Sequence, residues 1–225
     1  MFKKIIFLLL TTTSLIAQSE KDSASIDPKY LEDQIYFGLT YNIFSNTPDE
    51  FVQDGFAYGF SAGFIKDVPF NKQRNIGLGI GFGYTFNTYI QNLVITQTSI
   101  NQKWKAISYP DTYTIKTNSI ELPIEFRWRT STLEKYKFWR IYTGINISYT
   151  LNSKAIGLNV DELIELTDVL ELERLQYAYT IAAGYGTWNF YMNYSLAPFF
   201  RKNSTIKSES LKMNTFRLGL MIYFL

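Results

Sequence analysis

Ile76-Gly77-Leu78-Gly79-Ile80-Gly81-Phe82-Gly83-Tyr84-Thr85-Phe86 is the stretch on which the fold turns. Every second residue is bulky and apolar, and the residues between are glycine or threonine. Side chains on a strand point to opposite faces in turn, so this run has one broad apolar face and one nearly bare face.

The same period recurs. Ile120, Leu122, Ile124, Phe126 and Trp128 alternate with Glu121, Pro123, Glu125, Arg127 and Arg129. Phe216, Leu218, Leu220, Ile222 and Phe224 alternate with Arg217, Gly219, Met221, Tyr223 and Leu225. Five further segments read alike at lower contrast: 34–44, 56–66, 138–151, 176–186 and 189–200. A soluble sandwich would bury its bulky face and wet a charged one. Here the second face is mostly Gly, Ala, Ser, Thr and Asn, which suits the lumen of a small barrel whose apolar face meets lipid. The expectation is an all-β chain, an eight-stranded antiparallel up-and-down transmembrane β-barrel.

The connections carry the same message. Residues 67–74, 130–137 and 187–188 are short turns, and the alternate connections 45–55, 87–117, 152–174 and 201–213 are longer on average. That alternation fits an outer-membrane barrel of a Gram-negative bacterium with both termini in the periplasm. Pairing Trp128 with Trp139 keeps the outward parity and starts an aromatic girdle, to which Tyr185 and Trp188 would belong. The terminal strand closes on Tyr223-Phe224-Leu225, similar to the signal that the outer-membrane assembly machinery reads during insertion.

Composition excludes much chemistry. The 225 residues include no cysteine and no histidine, while Phe, Trp and Tyr make up 17%. Disulfides, thiolate metal sites and cysteine nucleophiles are ruled out, as are histidine-based zinc sites and a Ser–His–Asp triad. Enzymes built on outer-membrane barrels mostly use a histidine base, so the chain reads as a non-enzyme with no cofactor and no metal.

The first seventeen residues read as a secretory signal: basic Lys3-Lys4, apolar Ile5 to Leu10, then Leu15-Ile16-Ala17 before the cut. That apolar core falls short of the roughly 20 residues a spanning helix needs. Lys3 and Lys4 are its sole charges, so the 22 basic and 20 acidic residues of the whole chain balance once it is removed. No basic patch then remains for nucleic acid. Residues 18–33 read as a polar periplasmic tail and residues 34–225 as the barrel domain.

Candidate sites follow from parity. Glu121, Glu125, Arg127, Arg129, Arg140 and Arg217 share the inward face, where they would form a selectivity ring or a salt-bridge network filling a narrow lumen. Eight strands leave room for little but side chains, which favours the network. The Trp128–Trp139 register sets Arg127 opposite Arg140 with Glu125 between them, and offers Glu121 to Arg217. The alternate glycines from Gly77 to Gly83 give room for Arg127, Arg140 or Tyr142 to reach across the lumen. Asp161, Glu162, Glu165, Asp168, Glu171 and Glu173, interleaved with Leu163, Leu166 and Leu170, predict a short amphipathic helix over the barrel mouth and a surface for a partner. Residues 87–117 predict a hairpin above the membrane, with Trp104 near its tip.

Arg74 to Gly81, Ile120-Glu121-Leu122-Pro123-Ile124-Glu125-Phe126-Arg127-Trp128-Arg129 and Phe138-Trp139-Arg140-Ile141-Tyr142 together resemble the PorT-like outer-membrane barrel family. The resemblance implies a single outer-membrane barrel and, for the namesake members, an accessory role in type IX protein secretion and gliding motility. It implies other secretion-system proteins as partners, beside outer-membrane lipid, and it supplies no catalytic residues. The functional expectation is a non-catalytic accessory or scaffold barrel acting through its extracellular loops. The alternative is a narrow small-solute porin.

Overall fold

The structure, a computed structural model, describes residues 33–53, 55–98, 101–106, 112–130, 138–158, 163–206 and 209–224. The expected signal segment and the tail up to residue 32 lie outside the described residues. Eight strands form the barrel wall: β1 (Asp33–Ser45), β2 (Tyr58–Pro69), β3 (Ile76–Gln91), β6 (Thr112–Arg129), β7 (Trp139–Leu158), β9 (Leu175–Tyr185), β10 (Trp188–Ser195) and β13 (Asn214–Phe224). They pair antiparallel in the order β6-β3-β2-β1-β13-β10-β9-β7, and a β6–β7 pairing closes the ring. Closure leaves the wall without a free edge.

The wall is apolar outside and polar inside. Phe190 is 78% exposed, whereas Arg127 is 0% exposed. Ile35, Phe37, Ile80, Phe82, Phe126 and Leu218 also face outward, while Gln34, Thr40, Asn42, Glu121, Asn193 and Arg217 are buried within. A water-soluble fold has the reverse order, so the outer face is a lipid face. β3, β6 and β7 run 16, 18 and 20 residues. A crossing needs about 9–11, so these three strands rise past the others at the long-connection end.

That end carries the remaining strands: β4 (Leu93–Thr98), β5 (Asn101–Ala106), β8 (Leu163–Thr167), β11 (Thr205–Ile206) and β12 (Glu209–Ser210). β4 and β5 form the hairpin expected between residues 87 and 117, with Leu93 opposite Ala106. Tyr113 to Lys116, although inside the connection expected over 87–117, is not part of that hairpin. That stretch belongs to β6, where Ile115 pairs with Tyr89. Trp104 stands opposite Ile95, several rungs from the tip, and its side chain lies outside the described residues.

Beneath these strands the mouth is packed with apolar side chains. Phe44, Tyr89, Leu93, Tyr113, Ile115, Val169, Leu172, Phe199, Phe200, Ile206, Leu211 and Met213 form one buried cluster. Phe199 lies 4.8 Å from Tyr89 and 5.1 Å from Phe44, ring centre to ring centre. Backbone bonds from Glu173 to Phe199, from Phe199 to Met213 and from Arg201 to Glu171 tie the crossing segments together. The barrel is stoppered at this end.

Four expectations need correction. Trp128 pairs with Ile141, not Trp139, so the β6–β7 register is displaced by two residues. A two-residue shift preserves parity, which is why the inward and outward faces remain as read. Leu163–Thr167 is a strand, not a helix, because β7 outruns β9 and offers it unpaired backbone from Leu158 to Lys154. β10 stops at Ser195 rather than near residue 200, ahead of Pro198, which has no backbone N–H to donate. β2 continues to Pro69, which draws Asp67 out of the predicted turn and into the wall.

The chain has no cysteine, so the register can be checked by cross-linking. Trp128→Cys with Ile141→Cys is expected to form a disulfide on mild oxidation, and Trp128→Cys with Trp139→Cys is not. Gel mobility after oxidation reads the result.

Candidate functional site

The short-turn half of the lumen holds an ionic knot built on β2 and β6. Alternation on β6 points Glu121, Glu125, Arg127 and Arg129 into the barrel one above another. Arg127 makes two bonds to Glu125 Oε2, at 3.1 Å from Nε and 3.0 Å from Nη2. Its Nη1 meets Gln34 Oε1 at 3.0 Å and Asp67 Oδ2 at 3.5 Å. Asp67 Oδ2 also pairs with Arg129 Nη2. The Asp67 contacts are ion-pair contacts rather than well-aligned hydrogen bonds. Arg129 Nε donates to the backbone oxygen of Arg74 at 2.7 Å.

Asp67 is a functional residue that sequence reasoning missed. The signal is present, since Asp67 keeps the parity of the inward Gly63 and Ile65 on the same strand, but the expected strand ends at residue 66, three residues short of Pro69. Gly79 stands directly opposite Glu125 on the neighbouring strand. A methyl group at Gly79 would collide with the Arg127 guanidinium, so the missing side chain there is the room the knot occupies.

Arg140 lies across from Arg129, and Arg127 from Tyr142. The expected Arg127–Arg140 opposition is therefore corrected, and Glu125 does not bridge those two. Arg140 is 4% exposed, and among the described residues no carboxylate lies within ion-pair distance of it. Its guanidinium carbon sits 4.7 Å from the Phe138 ring centre and 5.8 Å from that of Tyr142. Aromatic faces are its observed neighbours, and such contacts stabilise a desolvated cation by about 2 kcal/mol.

Glu121 lies deeper and does not serve Arg217 as a salt-bridge partner. Its two oxygens accept from Tyr36 Oη at 2.6 Å and Asn146 Nδ2 at 2.8 Å. Arg217 bonds Asn193 Oδ1 at 3.1 Å. Tyr223 Oη reaches Glu125 Oε1 at 3.4 Å. The inner half is thus a continuous polar and aromatic packing, completed by Ile65, Ala182, Tyr191 and Met221.

Trp128, Trp139, Tyr185 and Trp188 all face outward on rungs beside the short turns, with Trp139 and Tyr185 rings 5.4 Å apart. The four acidic loop residues that are described, Glu165, Asp168, Glu171 and Glu173, do not form one face. Asp161 and Glu162 lie outside the described residues. Glu165 pairs with Lys154 at 2.7 Å, Asp168 turns the chain with φ of 54°, and Glu171 is buried. Glu173 is half-buried, its N–H bonded to Phe199. Among the described residues no group of three or more acidic side chains is placed to hold a metal ion.

The match to a protein-family description points the same way as the wall. Residues 16–201 match the family described as outer membrane protein beta-barrel domain. Among solved structures, Ail, the attachment invasion locus protein of Yersinia pestis, aligns at 14% identity and a TM-score of 0.36, covering 85% of this chain and 97% of that one. Ail in complex with the heparin analogue sucrose octasulfate aligns at 13% identity and a TM-score of 0.34, over the same shares of the two chains. No curated protein matches the chain.

Removing the shared acid tests the knot. Asp67→Asn is expected to destabilise the folded barrel by about 3–5 kcal/mol, because it strands Arg129 and weakens Arg127 in a desolvated site. Asp33→Asn, which breaks an exposed contact to Lys66 at 3.9 Å, should leave stability unchanged. Urea titration of tryptophan fluorescence in lipid vesicles measures both.

Proposed function

We propose a function from this premise: the chain belongs to the outer membrane protein beta-barrel domain family, and its barrel acts through its ends rather than through its lumen. The reading is a non-catalytic accessory or scaffold protein of the outer membrane. Its nearest role by sequence resemblance is that of the PorT-like barrels in protein secretion or assembly. The short turns and both termini then lie in the periplasm, and the surface formed by β4, β5, β8, β11 and β12 faces outward.

One observation carries this reading: the lumen is filled at two levels by unlike means. The aromatic stopper around Phe44, Tyr89, Phe199 and Phe200 fills the long-connection end. The knot of Asp67, Glu125, Arg127 and Arg129 fills the other. A solute path would have to break both, and charges held in mutual ion pairs are poor ligands for passing ions. A lumen without passage leaves the ends as the working surfaces. Around the outer end, β4, β5, β8, β11 and β12 supply folded surface beyond the barrel wall on which a partner can dock.

Two measurements test the proposal. Planar-bilayer recordings of the purified barrel are expected to show no stable conductance. A steady ion-selective current would favour the narrow-porin alternative. Affinity isolation from detergent-solubilised outer membrane should recover secretion or assembly proteins with the parent. Replacing residues 94–105 by a short Gly-Ser turn should reduce that recovery while heat-modifiable folding persists. Equal recovery with and without the hairpin would contradict a role for this surface.

A further inference from the structure

Between the stopper and the knot lies a cavity of about 40 Å³, room for about three waters. Thr85, Asn87, Ser119, Thr150, Ser195 and other hydroxyl and carboxamide side chains line it, and Arg217 is the one charged residue of its lining among the described residues. Arg217 is 8% exposed. Its bonds go to neutral acceptors, Asn193 Oδ1 at 3.1 Å and Thr85 Oγ1 and Asn87 Oδ1 at 3.5 Å. No carboxylate among the described residues lies within ion-pair distance, and Glu121, whose charge reaches Arg217, is itself bonded by Tyr36 and Asn146.

The hydroxyls decide the sign of what would bind. Thr85 Oγ1 accepts from Asn87 Nδ2 at 3.3 Å as well as from Arg217, and Ser195 Oγ accepts the Thr215 N–H at 2.8 Å. In these bonds both hydroxyls accept, which leaves their own protons to donate into the cavity. Ser119 and Thr150 spend a hydroxyl proton on each other at 3.2 Å, so the free donors are those of Thr85 and Ser195. A buried cation with no direct ion pair beside two such donors is complementary to an anion. Burying an unpaired guanidinium is costly, and a charge-assisted bond offsets that cost. The volume admits a monatomic ion with a water or two.

We propose that this cavity binds one small monovalent inorganic anion of about chloride size, held by Arg217 and the Thr85 and Ser195 hydroxyls. It serves as the structural counter-ion that the strands themselves do not supply to Arg217. The site is independent of the docking role and stands or falls separately from it.

The test uses the purified full-length barrel at constant ionic strength, with chloride exchanged against gluconate, a bulky and weakly coordinating anion. Thermal unfolding followed by heat-modifiable mobility is expected to rise by about 3–6 °C for each tenfold increase in chloride above the dissociation constant. Arg217→Gln should abolish that dependence. Ala178→Leu, which adds bulk to the cavity lining and keeps the arginine in place, should abolish it too and decides the matter if the arginine variant does not fold. Crystals grown in bromide should show an anomalous peak beside Arg217. Equal midpoints in chloride and gluconate with no bromide peak would overturn the proposal and leave the cavity to water. A chloride effect that survives Ala178→Leu would overturn it as well, by placing the ion elsewhere.

Discussion

Asp67 between Arg127 and Arg129 is the contact on which the inner half of this barrel depends. Three guanidinium groups, those of Arg127, Arg129 and Arg140, are buried at one end of an eight-stranded lumen. Taking such a charge out of water costs several kcal/mol even after relaxation. Glu125 compensates Arg127, and Asp67 extends the compensation to Arg129, while Arg140 rests against aromatic faces. Without Asp67 the strand β6 would carry two cations inward against one nearby acid, and the wall could close only around water. The glycines of β3 matter because the knot needs their empty side of the lumen.

The knot and the stopper divide the labour of filling the barrel by chemistry. Where strands are covered on their outer face by lipid, the interior can be polar, because the hydrophobic drive comes from outside. There the filling is ionic and hydrogen-bonded. Where the strands rise past the lipid, at Tyr113, Ile115 and Ala155 on β6 and β7, the polarity inverts and the interior becomes apolar. The interior changes character along the strand just as the exterior does. This is why the long connections fold back over the mouth: Val169, Leu172, Phe199 and Leu211 need the apolar upper lumen to bury themselves.

Much of this was legible in the sequence, for identifiable reasons. A period of two sustained over Ile76–Phe86 and Ile120–Trp128 leaves no doubt which residues share a face, and the parity of Glu121 through Arg129 needed no structure. Register was harder. Parity is blind to a slip of two residues, so Trp128 opposite Trp139 and Trp128 opposite Ile141 look equally good until the turn between them is known. Asp67 is hard to place from sequence because a charge close to a Pro69-Phe70-Asn71 turn reads as loop, although its spacing from Ile65 puts it inside. The acidic stretch after residue 160 misled for another reason. Its apolar spacing suits a helix when taken alone, and the unpaired overhang of β7, a tertiary feature, turns it into a strand.

A double-mutant cycle on Asp67 and Arg129 tests the central claim most directly. Asp67→Asn, Arg129→Gln and the double variant would be compared with the parent by urea titration in vesicles of one lipid composition. The account expects the double variant to be more stable than the sum of the single losses implies, by about 2–3 kcal/mol of coupling, because removing both partners leaves no stranded charge. Additive losses, within about 0.5 kcal/mol, would contradict it and show that the lumen is held by its packing rather than by this ionic contact.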